Sequence, residues 1–135
     1  AGTVSLAAAI DYLQAVGPAA IAAHERQLVA AAAERIGRLE GVRVCGGEPR
    51  CGIVSFNVEG AHAYDVGMIL DKLGIAVRTG HHCAQPLMAH LGVSGTVRAS
   101  VGLYNTPGEI DRLVAGVERA RRMLCADTAE SGTRR

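Results

Sequence analysis

With 135 residues, 49% of them apolar and 20% charged, the chain is long enough for one domain with a genuine core and is ordinary in composition for a globular protein. Fourteen Lys and Arg nearly cancel thirteen Asp and Glu, and the resulting net charge of +1 gives no sequence-wide attraction to nucleic acid or to an anionic membrane. One Phe, three Tyr and no Trp argue against a base-stacking platform, and no apolar run reaches the roughly eighteen residues that would span a bilayer.

The opening segment reads as a helix, with Leu6, Ile10 and Leu13 at helical spacing. Gly17-Pro18 breaks it, and Pro18 suits the first position of a second helix. Ile21, Leu28, Ala32, Ile36 and Leu39 form that helix's apolar face, with Glu25, Arg26, Glu34, Arg35 and Arg38 opposite and Gly41 placed to end it. His24 lies near the apolar face and is expected to hold a structural hydrogen bond at an interface. Val42-Arg43-Val44 and Ile53-Val54-Ser55-Phe56-Asn57-Val58 read as two strands around a Gly46-Gly47-Glu48-Pro49 turn, a natural antiparallel pair.

Val66, Ile69, Leu70 and Leu73 then mark a third helix, closed by Gly74 before a strand over Ile75-Ala76-Val77. Lys72, the only lysine in the chain, sits near that helix's C-terminus, where a cation complements the dipole. Pro86 opens a short helix that ends near Gly92, and Val97, Ala99, Val101 and Leu103 alternate with Arg98, Ser100 and Gly102 in a last strand, so that Arg98 points away from the apolar face. Thr106-Pro107-Gly108-Glu109 has the form of a capping box, and Ile110, Leu113, Val114, Val117 and Leu124 give the final helix a buried stripe. The tail, 127–135, holds nothing larger and apolar than Ala129 and is expected to be disordered. The expected fold is α+β over residues 1–126, a small, mainly antiparallel sheet of about four strands with helices packed on one side.

One stretch is not explained by packing. Arg78-Thr79-Gly80-His81-His82-Cys83-Ala84-Gln85-Pro86 crowds an Arg, two His and a Cys into six positions. A cysteine attacks through its thiolate, which neighbouring Arg or protonated His favours and which a loop leaves accessible. Arginine grips a carboxylate through a planar two-pronged fork, so Arg98 is a candidate for holding an acidic or amino-acid substrate, and neighbouring strands would bring Arg78 to the same end of the sheet. His81, His82 and Cys83 are also competent zinc ligands, but adjacent residues rarely point at one ion and His62 and His90 would have to be recruited, so no metal site is assigned; either loop histidine can equally be structural. Cys45, Cys51 and Cys125 lack such neighbours, and four cysteines without regular spacing fit reduced thiols better than a disulfide framework, a Cys45–Cys51 bridge being the less favoured alternative.

The run from Arg78 to Leu87, with Arg98-Ala99-Ser100 and Tyr104-Asn105-Thr106, resembles the C-terminal part of the group II (SufS-like) cysteine desulfurases and selenocysteine lyases of the class V aminotransferase family. The resemblance extends to His24-Glu25, the Ile53–Phe56 strand and Ala1-Gly2-Thr3. It implies a pyridoxal phosphate-dependent enzyme, homodimeric when intact, that takes sulfur from L-cysteine, or selenium from selenocysteine, and passes it to an acceptor protein for iron–sulfur cluster assembly; a cytoplasmic location is the expectation from the reduced thiols. Cys83 matches the persulfide-forming cysteine, Arg98 the arginine that binds the substrate carboxylate, Arg78 a second arginine at the mouth of the site, and Thr3 a residue that reaches the cofactor phosphate of the neighbouring subunit. Lys72 does not match the family's Schiff-base lysine, and no phosphate loop is present. The chain is therefore expected to be the small domain of such an enzyme, to bind no cofactor alone and to be inactive alone. A free-standing sulfur carrier or protein-binding module that kept the cysteine loop is the alternative, as is a related selenocysteine lyase.

Overall fold

The computed structural model describes residues 2–48 and 50–131, with the backbone alone for 126–131. The elements follow in the order α1 (Gly2–Val16), α2 (Pro18–Gly37), β1 (Val42–Cys45), β2 (Ile53–Val58), α3 (Ala63–Lys72), β3 (Arg78–Gly80), α4 (Gln85–Leu91), β4 (Thr96–Ser100) and α5 (Pro107–Ser131). The four strands form one antiparallel sheet in the order β1-β2-β4-β3, an α+β fold as expected.

Strand alternation divides the sheet into two faces. Val54, Phe56 and Val58 of β2 and Val97 and Ala99 of β4 turn inward, where Leu28, Ala32 and Ile36 of α2, Val66 and Leu70 of α3, and Ile110, Leu113 and Val117 of α5 close over them. Phe56, Val54, Val97 and Ile36 are fully buried, so the core rests on aliphatic packing around a single aromatic ring. The register puts the intervening side chains, among them Arg43, Ser55, Asn57, Thr96 and Arg98, together on the other face. That face is polar because the three long core helices use only one side of the sheet.

The ends of α5 and α3 show how local sequence fixes position. Glu109 Oε2 accepts from the Thr106 backbone N–H at 2.7 Å and from the Thr106 hydroxyl at 3.1 Å, the capping box read from the sequence. His24 holds the turn just before it, its Nε2–H donating to the Asn105 carbonyl at 2.9 Å, which is the structural role expected of that residue. At the end of α3 the Ile75 N–H donates to the Leu70 carbonyl at 2.9 Å. Ile75 then meets α5 at Gly116, where any side chain would collide with it. The segment Ile75–Val77 is thus a crossover into the sheet, not the strand expected there, and β3 begins at Arg78.

Three other boundaries differ from the sequence reading. Helix α2 stops at Gly37, and Gly41, at φ 67°, belongs to the following turn. Strand β4 ends at Ser100, and just beyond it Asn105 Oδ1 accepts from the Gly102 N–H at 2.8 Å. Helix α5 runs through Ser131, five residues into the expected disordered tail; residues such as Ala126, Ala129 and Glu130 favour helix and no Gly or Pro intervenes before Gly132. Residues 132–135 of that tail lie outside the described residues. Helix α1 has no buried residue, and its Leu6, Ile10 and Leu13 are all exposed.

Gly67 sets the distance between α3 and β3: a Cβ there would lie 2.5 Å from Thr79 Cγ2. Alanine would gain up to about 1 kcal/mol of helix propensity, but the β-branched Thr79 cannot swing aside easily, and overpacking costs roughly 1–3 kcal/mol. The steric effect wins, so Gly67→Ala is expected to lower stability by about 1 kcal/mol, measured as a lower urea midpoint with unchanged slope.

Candidate active site

Strand β3 is an edge strand paired only with β4, and the pairing register puts Arg78 directly opposite Arg98. Like charges placed opposite each other across an antiparallel pair repel. Neither guanidinium forms an ion pair among the described residues, and Arg98 Nε is buried without a hydrogen-bond partner. Two cations side by side with an unsatisfied donor describe a place for an anion. A carboxylate matches the donor geometry of a guanidinium.

The chain leaves β3 through Gly80, at φ 112°, whose backbone lies 3.1 Å from where a Cβ of Gly95 would stand. Only glycine at 95 allows the segment before β4 to approach this closely. The turn that follows is closed by the Ala84 N–H donating to the His81 carbonyl at 2.9 Å. Its two central residues, His82 and Cys83, have φ of 56° and 59°. They are the only non-glycine residues with positive φ among those described. Positive φ at both central positions is the mark of the type I′ turn, which ordinarily uses Gly, Asn or Asp. For Cys83 the left-handed conformation costs on the order of 1 kcal/mol or more. The result is an exposed thiol at the apex of a tight turn, beside a hollow of about 510 Å³ lined by Arg78, His81, His82, Cys83, Gln85 and Pro86 among others. Arg98 is not among the lining residues.

His82 explains how the turn is held. Its Nε2 lies 2.9 Å from Thr96 Oγ1 and 3.2 Å from the Thr96 carbonyl oxygen. Because a carbonyl only accepts, Nε2 carries the proton and Nδ1 the lone pair, and Nδ1 is buried without a partner. Desolvation of the ring lowers the His82 pKa; the hydrogen bond to the Thr96 backbone works against this, while the charges of Arg98, Arg78 and His81 push in the same direction as desolvation.

The other residues singled out in the sequence lie elsewhere. Thr3 is exposed in the first turn of α1. His62 caps α3 by accepting from the Tyr64 N–H, and His90 is in the last turn of α4. Cys45 is buried in β1 and Cys51 is exposed before β2, both as free thiols. A second cleft of about 310 Å³, between the α3–β3 connection and the start of α5, includes Tyr104, Asn105 and Glu109, but Asn105 and Glu109 are engaged in capping. The described residues do not fit pyridoxal phosphate on their own. The sole lysine, Lys72, is exposed and lines a groove with Tyr64 and Met68; it is not among the residues that line the Cys83 hollow.

Comparison with known proteins gives the family. The model of the family described as aminotransferase class-V matches residues 1–113. The chain belongs to the class V aminotransferase family. It is 55% identical over 120 residues to a probable cysteine desulfurase 2 of Mycobacterium leprae, covering 87% of this chain and 29% of that protein. It is 48% identical over 124 residues to a cysteine desulfurase of Serratia proteamaculans, covering 92% of this chain and 30% of that protein. Among solved structures it superposes on the apo cysteine desulfurase of Thermococcus onnurineus with a TM-score of 0.86 at 41% identity, covering 91% of this chain and 31% of that one. The chain thus spans about 30% of the length of these cysteine desulfurases, and the family resemblance carried by the Arg78–Leu87 run is borne out.

A histidine whose folded-state pKa lies below its unfolded value binds fewer protons when folded, so its stabilising contribution is complete above about pH 6.5 and declines as pH falls toward the lowered value. The wild-type chain is expected to lose more stability than His82→Gln between about pH 7.5 and about pH 5.5, as read from urea denaturation at each pH. Equal losses would show that His82 does not titrate in this way.

Proposed function

We propose that this chain is the persulfide-forming small domain of a pyridoxal phosphate-dependent cysteine desulfurase, with Cys83 as the sulfur acceptor and Arg98 as the group that binds the substrate carboxylate. The observation that carries the proposal is the unpaired Arg78–Arg98 couple on neighbouring strands, next to an exposed cysteine on a strained turn. An amino-acid substrate supplies the carboxylate that the two guanidinium groups lack, and its sulfur is what a thiol at the mouth of that site would meet.

The net chemistry balances without an external oxidant or reductant. The carbon–sulfur bond of L-cysteine breaks, a sulfur–sulfur bond to Cys83 forms, and the carbon gains the hydrogen that the Cys83 thiol gives up. Cysteine plus thiol becomes alanine plus persulfide. Arg98 holds the carboxylate in a two-pronged grip, and Arg78, nearer the opening, draws the anionic substrate in and favours the anionic persulfide. The turn keeps Cys83 outward, which suits transfer of the terminal sulfur to an acceptor protein, in the family's chemistry one that feeds iron–sulfur cluster assembly. Selenocysteine, with the same carboxylate and a more reactive chalcogen, is an equally compatible substrate.

Apart from the Thr3 contact described next, cofactor binding is assigned to residues other than those described, since Lys72 and the Cys83 hollow do not provide for it. Thr3 and the exposed apolar side chains of α1 are the surface we assign to the neighbouring subunit of the intact homodimer, with Thr3 reaching that subunit's cofactor phosphate.

Treated with a low-molecular-weight persulfide donor, the chain is expected to gain one sulfur atom at Cys83 in preference to Cys45, Cys51 and Cys125, by intact-mass and peptide mass spectrometry, and Cys83→Ser is expected to lose that gain. Preferential labelling of Cys51 would overturn the assignment. Incubated with pyridoxal phosphate and L-cysteine, the chain alone is expected to release no alanine above the Cys83→Ser background.

A further inference from the structure

Thr96 is the one fully buried polar residue among those described, at 1% exposure. Its hydroxyl oxygen lies 2.9 Å from Nε2 of His82, fourteen residues earlier in the chain. A buried hydroxyl needs a partner, and here the partner is the first of the two left-handed residues that present Cys83. The turn has little else of its own. Its closing hydrogen bond, from the Ala84 N–H to the His81 carbonyl, spans two non-glycine residues in the left-handed conformation. Neither is the glycine or asparagine that would adopt it at low cost.

We propose that His82 is a positioning residue for the sulfur-accepting cysteine: latched by Thr96, it holds the strained turn in the one conformation that directs Cys83 outward beside Arg78. The role of Cys83 in this statement rests on the functional reading above, whereas the latch itself does not. Histidine suits the task in two ways. It tolerates left-handed backbone better than most residues, and its Nε2 reaches two oxygens of one residue, the hydroxyl and the carbonyl of Thr96, fixing the ring against the sheet. The neutral ring is the form that fits. A proton on Nδ1 would have no acceptor, and would lie close to Arg98 on β4, Arg78 on β3 and His81 in the loop. Cys83 therefore takes its place from a strand that it does not belong to, through a neighbour that need not touch the substrate.

Two substitutions at Thr96 separate a latch from simple packing. Thr96→Val keeps the volume and deletes the hydroxyl; Thr96→Ser keeps the hydroxyl and deletes the methyl group. The latch predicts that Thr96→Val lowers the hydrogen-exchange protection of the Ala84 amide by roughly fivefold, the loss expected from one hydrogen bond, with the Val54 and Phe56 amides unchanged. It also predicts that the ratio of Cys83 to Cys51 labelling by the persulfide donor falls by about the same factor, with Cys45 remaining unmodified as the sign of an intact sheet. Thr96→Ser is expected to restore both readouts. Loss with serine and retention with valine would overturn the latch and leave a packing role, as would unchanged Ala84 protection in both variants. A wild-type chain in which Cys83 is not the preferred acceptor would overturn the functional reading, while the exchange comparison would still decide the latch.

Discussion

The pairing of β3 with β4 is the constraint on which the candidate site depends. β3 is three residues long and lies at the sheet edge, yet its register decides three things together. It sets Arg78 opposite Arg98, it brings Gly80 against the segment before Thr96, and it releases the chain at the point where the cysteine turn must begin. A slip of one residue would send Arg78 to the helix-covered face and place Thr79 opposite Arg98. The register is held from the other side by Gly67, whose missing Cβ admits Thr79 against α3. The core of the domain and the geometry of the site therefore share one contact.

The polar face follows from the same economy of layers. Because α2, α3 and α5 cover only one side of the sheet, alternation gathers polar side chains on the other. Arg98 and Thr96 are next-but-one neighbours on that face of β4, and they serve different ends: Arg98 presents a cation, and Thr96 anchors His82. The strain at His82 and Cys83 is tolerated because the turn is continuous with β3 and its central residue His82 is tied through Thr96 to β4. Strain concentrated at an exposed thiol, in a domain otherwise built from ordinary helices and short strands, distinguishes a working loop from a connecting one.

Much of this was legible in the sequence where the signal was local. The capping box at Thr106–Glu109 needs only residues three apart, and Pro18 and Pro86 announce helix starts by chemistry that no tertiary contact alters. Periodicity likewise gave the core residues of α2, α3 and β2. Where the reading went astray, longer contacts intervened. Ile75-Ala76-Val77 has strand composition, but Ile75 is drawn under Gly116 of α5, and the ladder starts only at Arg78. Thr96 was not recognised as part of the site, and no local pattern would have revealed it, since a threonine in a strand is unremarkable until its partner is known. The apolar spacing of Leu6, Ile10 and Leu13 correctly indicated a helix, but not that its apolar side chains would be exposed.

By itself, the sequence determined the element types, the segregation of apolar from polar side chains along each strand, and the crowding of Arg78, His81, His82 and Cys83 into one loop. These depend on intervals of a few residues, which the chain carries wherever it is placed. The tertiary structure alone decided that Arg78 would face Arg98, that both central residues of the cysteine turn would be left-handed, and that His82 would find its partner in Thr96. The physical reason is that a strand register and a hydrogen bond across fourteen residues are settled by the packing of the whole sheet against its helices, and the linear order of residues carries only the groups that such packing brings together.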